Sequence, residues 1–151
     1  MRPFLLQSRL PSQLQSGFHQ GAREAIEATG AEVLIDRVAG SYELPYGAQV
    51  LLESGKVDAV VAIGCLVKGA TMHFEYICEA VTQGIMRLNL DYKMPVIFGV
   101  LAVMTEDQAK ERAGLIGTHG NSGKDWGNTA VESALLARKH GVSGTKRRRT
   151  D

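Results

Sequence analysis

The chain has 151 residues, 44% of them hydrophobic and 22% charged, enough apolar material for one globular domain to bury a core without disulfide or metal staples. A formal net charge of +1 provides no global field of the kind that calls for nucleic acid, an acidic substrate or a membrane, so any anion contact has to be local. Cys65 and Cys78 lack CxxC or Cys/His ligand spacing, the N-terminal apolar run is too short for a signal peptide, and no stretch approaches a bilayer span; a cytoplasmic protein with free thiols and no metal site is expected.

In chain order, Pro3 to Gln7 reads as a weak first strand. From Ser12, the residues Leu14, Phe18, Ala22, Ala25 and Ile26 share one helical face, with Ser12 and Gln15 in capping-box spacing and Gly30 as the stop. Val33 to Val38 predicts a strand; Gly40 to Glu43 predicts a turn into a second helix that accepts Pro45 in its first turn and ends at Gly55. Ala59 to Ile63, apolar on both faces, predicts a central parallel strand. A loop is expected from Gly64 to His73, then a longer helix marked by Phe74, Ile77, Cys78, Val81, Ile85 and Leu88.

Pro95 to Val103 predicts another fully apolar strand, and Thr105 with Gln108 a second capping box before a short helix ending near Gly114. A glycine-rich loop leads to Asp125, the expected N-cap of a last helix carrying Val131, Ala134 and Leu135. Strands alternating with helices imply an α/β fold, a three-layer α/β/α sandwich on a four-stranded parallel sheet. Residues 1–140 are expected to form a single domain, and 141–151, with Lys146-Arg147-Arg148-Arg149, a disordered basic tail.

In such a sheet ligands bind beyond the carboxyl ends of the strands. The richest of the connecting loops is Gly64-Cys65-Leu66-Val67-Lys68-Gly69-Ala70-Thr71-Met72-His73. Its lysine precedes its second glycine, which rules out a nucleotide-binding P-loop; small residues before a helix still leave backbone N–H groups to cradle an anion, with the Thr71 hydroxyl as an added donor. His73 at that helix start is the candidate for proton transfer and has no i,i+4 partner for a metal. Arg112 is either a bidentate phosphate ligand or a surface arginine at a helix C-terminus. Glu43 is either an acceptor for sugar-like hydroxyls or an ordinary partner of the helix dipole.

These residues are also where the chain resembles the lumazine synthases, from about Gly21 to Lys139 and most closely their fungal branch. The carriers are Gly40-Ser41-Tyr42-Glu43-Leu44-Pro45, Lys68-Gly69-Ala70-Thr71-Met72-His73-Phe74, Pro95-Val96-Ile97-Phe98-Gly99, and the Glu-Arg-Ala-Gly between Glu106 and Gly114. The resemblance implies a flavodoxin-like fold and a transferase of riboflavin biosynthesis. Its reaction would condense 5-amino-6-(D-ribitylamino)uracil with 3,4-dihydroxy-2-butanone 4-phosphate to 6,7-dimethyl-8-ribityllumazine, losing phosphate and water without cofactor or metal. It further implies that His73 shuttles protons, that Ala70, Thr71 and Arg112 hold the phosphate, that Ser41, Tyr42 and Glu43 receive the ribityl chain, and that Cys65, Leu66 and Val67 receive the pyrimidine. Phe98 of a neighbouring subunit would border the same pocket, which makes the expected unit a homopentamer with sites at subunit interfaces; the long run Gly114 to Gly123 argues against a shell of pentamers.

The chain departs from the family at the end of the first strand, where an aromatic normally stacks on the heterocycle. Ungapped alignment places Ser8-Arg9-Leu10-Pro11 there, so Leu10 would supply only apolar contact. Ser122 stands where the family usually offers Lys or His before a glycine. The chain also begins where that strand begins, without the usual preceding segment; a misplaced gene start and a diverged protein each account for both oddities. A catalytically weak or inactive pentamer that binds flavin or lumazine is the alternative reading.

Overall fold

The computed structural model describes residues 1–142, so the basic run Lys146 to Arg149 lies outside the described residues. Four strands, β1 (Pro3–Ser8), β2 (Leu34–Val38), β3 (Ala59–Val67) and β4 (Val96–Val103), form one all-parallel sheet in the order β2-β1-β3-β4. Helices α1 (Ser12–Glu27), α4 (Glu106–Arg112) and α5 (Ser122–Lys139) cover one face. Helices α2 (Leu44–Ser54) and α3 (His73–Tyr92) cover the other, and a short 3-10 turn, Ser41–Glu43, leads into α2. This is the three-layer sandwich that the alternating pattern implied, and it is flavodoxin-like, as the family resemblance implied.

The period-2 split of each strand builds two cores. Leu5, Val61 and Ile63 point to the α1/α5 side with Phe18 and Ile26; Leu6, Val60 and Ala62 point to the α2/α3 side with Leu44, Val81 and Ile85. Burying each such side chain is worth about 1.5–3 kcal/mol. β1, expected to be weak, is buried along nearly its whole length because it pairs with β2 on one side and β3 on the other. β4, although apolar throughout, is an edge strand and leaves Phe98 exposed.

Several boundaries differ from the sequence reading. Pro11, whose ring holds φ at −52° with an extended ψ of 138°, is the N-cap of α1; Ser12 takes the first helical position, so the Ser12–Gln15 box does not form. Asn121, not Asp125, caps α5, its Oδ1 accepting from the Gly123 N–H at 2.8 Å. Thr105 does cap α4, but Gln108 returns its side chain to the Met104 N–H rather than to Thr105. The loop expected from Gly64 begins only after Val67, because Gly64 to Val67 pair in register with Val100 to Val103 and extend β3 by four residues. Gly55 ends α2 in the left-handed region, at φ 67°, as expected of a helix-stopping glycine.

Candidate active site

The sheet changes direction between β1 and β3. From β1 the chain moves outward to β2, and from β3 it moves the opposite way to β4, which opens a crevice at their carboxyl ends. Gly64 sits in that crevice. A Cβ on Gly64 would lie 2.7 Å from Ser41 Oγ, 3.0 Å from Leu44 Cδ1 and 3.3 Å from Ser8 Oγ, so the bare backbone lets the Ser41 turn dock against β3. Ser41 is buried there, Tyr42 is exposed, and Glu43 folds its carboxylate back towards Gly40.

Beyond Val67 the chain leaves the sheet with one last ladder bond, from Lys68 N–H to Val103 C=O at 2.9 Å. Gly69, Ala70, Thr71 and Met72 are exposed, and α3 begins at His73. Met72 is its N-cap and provides no side-chain bond; the nearest substitute is a long 3.4 Å contact from His73 N–H to Thr71 Oγ1. The first-turn amides therefore point outward with the positive end of the helix dipole behind them, which suits an anion. The exposed His73 imidazole stands at the same turn.

The other expected residues divide into two groups. Cys65, Leu66 and Val67 form the last turn-free stretch of β3, with Val67 exposed and Cys65 half-buried. Burial pushes the Cys65 thiol up to about 11, so it is a neutral wall and not a nucleophile near pH 7. Arg112 ends α4, is exposed, and makes no salt bridge among the described residues, which leaves its guanidinium available beyond the end of β4.

Two residues lie apart. Leu10 is only 9% exposed and is packed into the cluster of Leu14, Phe18 and Ala113, so it offers little surface to a ligand in the isolated chain. Phe98 pairs with Ala62, five residues before the end of β4 and so about 16 Å down the strand from the loops of its own chain. It is 42% exposed on the α2/α3 side.

A comparison with family models matches residues 1–138 to 6,7-dimethyl-8-ribityllumazine synthase. The chain belongs to that family. Among curated relatives of that name, the chain is 54% identical over 103 residues to one from Schizosaccharomyces pombe, covering 68% of this chain and 64% of the relative. It is 52% identical over 106 residues to one from Porphyromonas gingivalis, covering 70% and 65%. It is 44% identical over 126 residues to one from Flavobacterium psychrophilum, covering 82% and 66%. The chain thus spans slightly less than two thirds of the length of these relatives. The family match also takes in residues 1–20, which precede the start of the resemblance read from motifs near Gly21.

Within the candidate site, three features escaped the sequence reading. These are the space-making role of Gly64 and the buried hydroxyl of Ser8, which has no hydrogen-bond partner among the described residues, both set by residues distant in sequence, and the ion pair between Lys68 and Glu75. Only the last had a local signal, a lysine and a glutamate flanking the loop.

Proposed function

We propose that the chain condenses 5-amino-6-(D-ribitylamino)uracil with 3,4-dihydroxy-2-butanone 4-phosphate to 6,7-dimethyl-8-ribityllumazine, as a cytoplasmic homopentamer. The observation that carries this reading is the uncapped start of α3, where outward amides, Thr71 and His73 converge beyond the switch point of a lumazine synthase sheet. Ala70, Thr71 and Arg112 hold the phosphate. Ser41, Tyr42 and Glu43 receive the ribityl chain, and Cys65, Leu66 and Val67 the pyrimidine. Holding two substrates together supplies effective concentration, and the helix start stabilises the departing phosphate. His73 then takes and returns protons as the imine forms and phosphate leaves.

The oligomer is supported by an apolar strip on the α2/α3 side of the sheet. Tyr46 and Val50 of α2, Tyr76, Met86 and Leu90 of α3, and Phe98 of β4 are all exposed there. Large apolar side chains left exposed on one side of the molecule are suited to contact with a second copy. Phe98 lies about 16 Å down β4 from its own loops, which supports its completing a neighbour's pocket in this reading.

Incubating purified protein with both substrates should produce lumazine fluorescence, and light scattering after size exclusion should give five times the mass of one chain. Tight binding of riboflavin with no lumazine formed would replace the enzyme by the non-catalytic binding pentamer. A mass near that of one chain would overturn the shared site.

A further inference from the structure

Glu75 is the third residue of α3, counted from the N-cap Met72. A glutamate in that position ordinarily bends back to accept from the backbone N–H of the N-cap residue, which brings its charge against the free amides at the positive end of the dipole. Glu75 does not. One of its carboxylate oxygens pairs with Lys68 Nζ, and the other is buried with no hydrogen-bond partner among the described residues. Met72, the N-cap itself, supplies no side-chain cap either.

Lys68 is well placed to detain it. Its backbone N–H is tied to Val103 C=O at 2.9 Å, which fixes the residue at the exit of β3. Its ammonium lies 5.5 Å from the centroid of the Phe74 ring, a cation–π contact that holds the side chain folded over the first turn of α3. The stem and ring together keep the ammonium partly shielded, where its attraction for a carboxylate is stronger than in open water.

We infer that Lys68 is a positioning residue: by holding Glu75 sideways it keeps the first-turn amides of α3 uncapped, and the carboxylate neutralised, for the phosphate-bearing substrate. This rests on the reading of the α3 start as a phosphate site. Without Lys68 the carboxylate falls back onto the amides, competing with the phosphate for donors and repelling it. Two rival roles give different patterns. If the pair merely stiffens the loop, removing either partner does equal harm. If Lys68 touches the phosphate itself, removing Glu75 cannot repair its loss.

The test is calorimetric titration of inorganic phosphate into the full chain and three variants, Lys68→Met, Glu75→Gln and the double substitution. Lys68→Met should weaken phosphate by about tenfold. Glu75→Gln should leave it as tight as before or tighter, and the double variant should recover to within about twofold of the original, a non-additivity that contact residues permit. Lys68→Arg should behave like the unaltered chain.

Equal weakening in the two single variants, or a double variant as weak as Lys68→Met, overturns the inference. Amide hydrogen exchange checks it without ligand: exchange at Met72, the N-cap amide from which a third-residue glutamate accepts, should slow in Lys68→Met as Glu75 caps it, and return in the double variant. Unslowed exchange in a folded Lys68→Met chain also overturns it. Phosphate binding in this pattern with no lumazine formed would overturn the proposed reaction and leave the inference standing; no phosphate uptake by the unaltered chain would overturn both.

Discussion

On one face of the sheet α1 and α5 approach until backbone meets backbone. A Cβ on Gly123 would stand 2.1 Å from Phe18 C=O, one on Gly127 2.5 Å from Ala22 C=O, and one on Gly21 2.6 Å from Asn121 Oδ1. Asn121 seals this face by donating to Gly17 C=O at 2.7 Å, and Trp126 packs against Phe18 with centroids 5.1 Å apart and the rings tilted by 39°. On the other face α2 and α3 leave large side chains outside: Tyr46 is 72% exposed, Leu90 70% and Tyr76 66%. The first face has no slack and holds the strand ends at fixed positions. The second has surplus apolar surface and also carries the Ser41 turn and the His73 helix, so the proposed chemistry and the proposed assembly share one side of the molecule.

That contrast is broken most directly by a substitution that removes activity without touching stability. His73→Ala, on an exposed side chain of the open face, should lower turnover by about 10²–10⁴-fold, the usual contribution of a positioned proton carrier. Its melting temperature should match that of the unaltered chain. Unchanged kcat would take His73 out of the reaction.

The mirror experiment is Gly123→Ala. The added methyl meets a backbone oxygen that cannot swing aside, so the helices must separate or tilt, at about 3 kcal/mol. Urea titration should register that loss. A variant of ordinary stability would mean that the α1–α5 contact has room the distances do not suggest.

The two faces were unequally legible in the sequence. Apolar spacing together with turn and cap residues located every strand and helix, because periodicity, capping and turn chemistry are local properties. Helix starts were misread where a neighbour decided the matter: Pro11 displaced Ser12 as cap, and Asn121, engaged with Gly17 across 104 residues, displaced Asp125. The end of β3 was set too early because Gly64 looks like a breaker until Ser41, Leu44 and Ser8 are seen to fill its space. For the candidate site, the loop order and residue types at 41–43, 65–73 and 112 were readable. The burial of Leu10 and the detention of Glu75 were not, since both depend on packing between elements.

Arg112→Ala sharpens the comparison at the sheet's end, where α4 belongs to the closed face. Loss of a charge-assisted bond to phosphate should cost about 1.5–3 kcal/mol of affinity for the butanone phosphate. Binding of the pyrimidine, which carries no such charge, should hardly change. Equal losses for the two substrates would make Arg112 a structural residue.

The smallest effect concerns Leu10, which belongs to the closed face and was expected to border the pyrimidine. Its cluster of Leu14, Phe18 and Ala113 is filled, so the ring introduced by Leu10→Trp does not fit where the leucine lies. It has to turn outward, towards the crevice beyond β1, at a cost of about 1 kcal/mol or more in folding stability. There it gains a π-face for the heterocycle, worth about 0.5–1.5 kcal/mol, or roughly a two- to tenfold tighter Kd for the pyrimidine or riboflavin. Fluorescence titration reads the second quantity and urea unfolding the first. A loss of stability with no gain in affinity would show that the ring was forced into the closed face instead, and that Leu10 belongs wholly to the core.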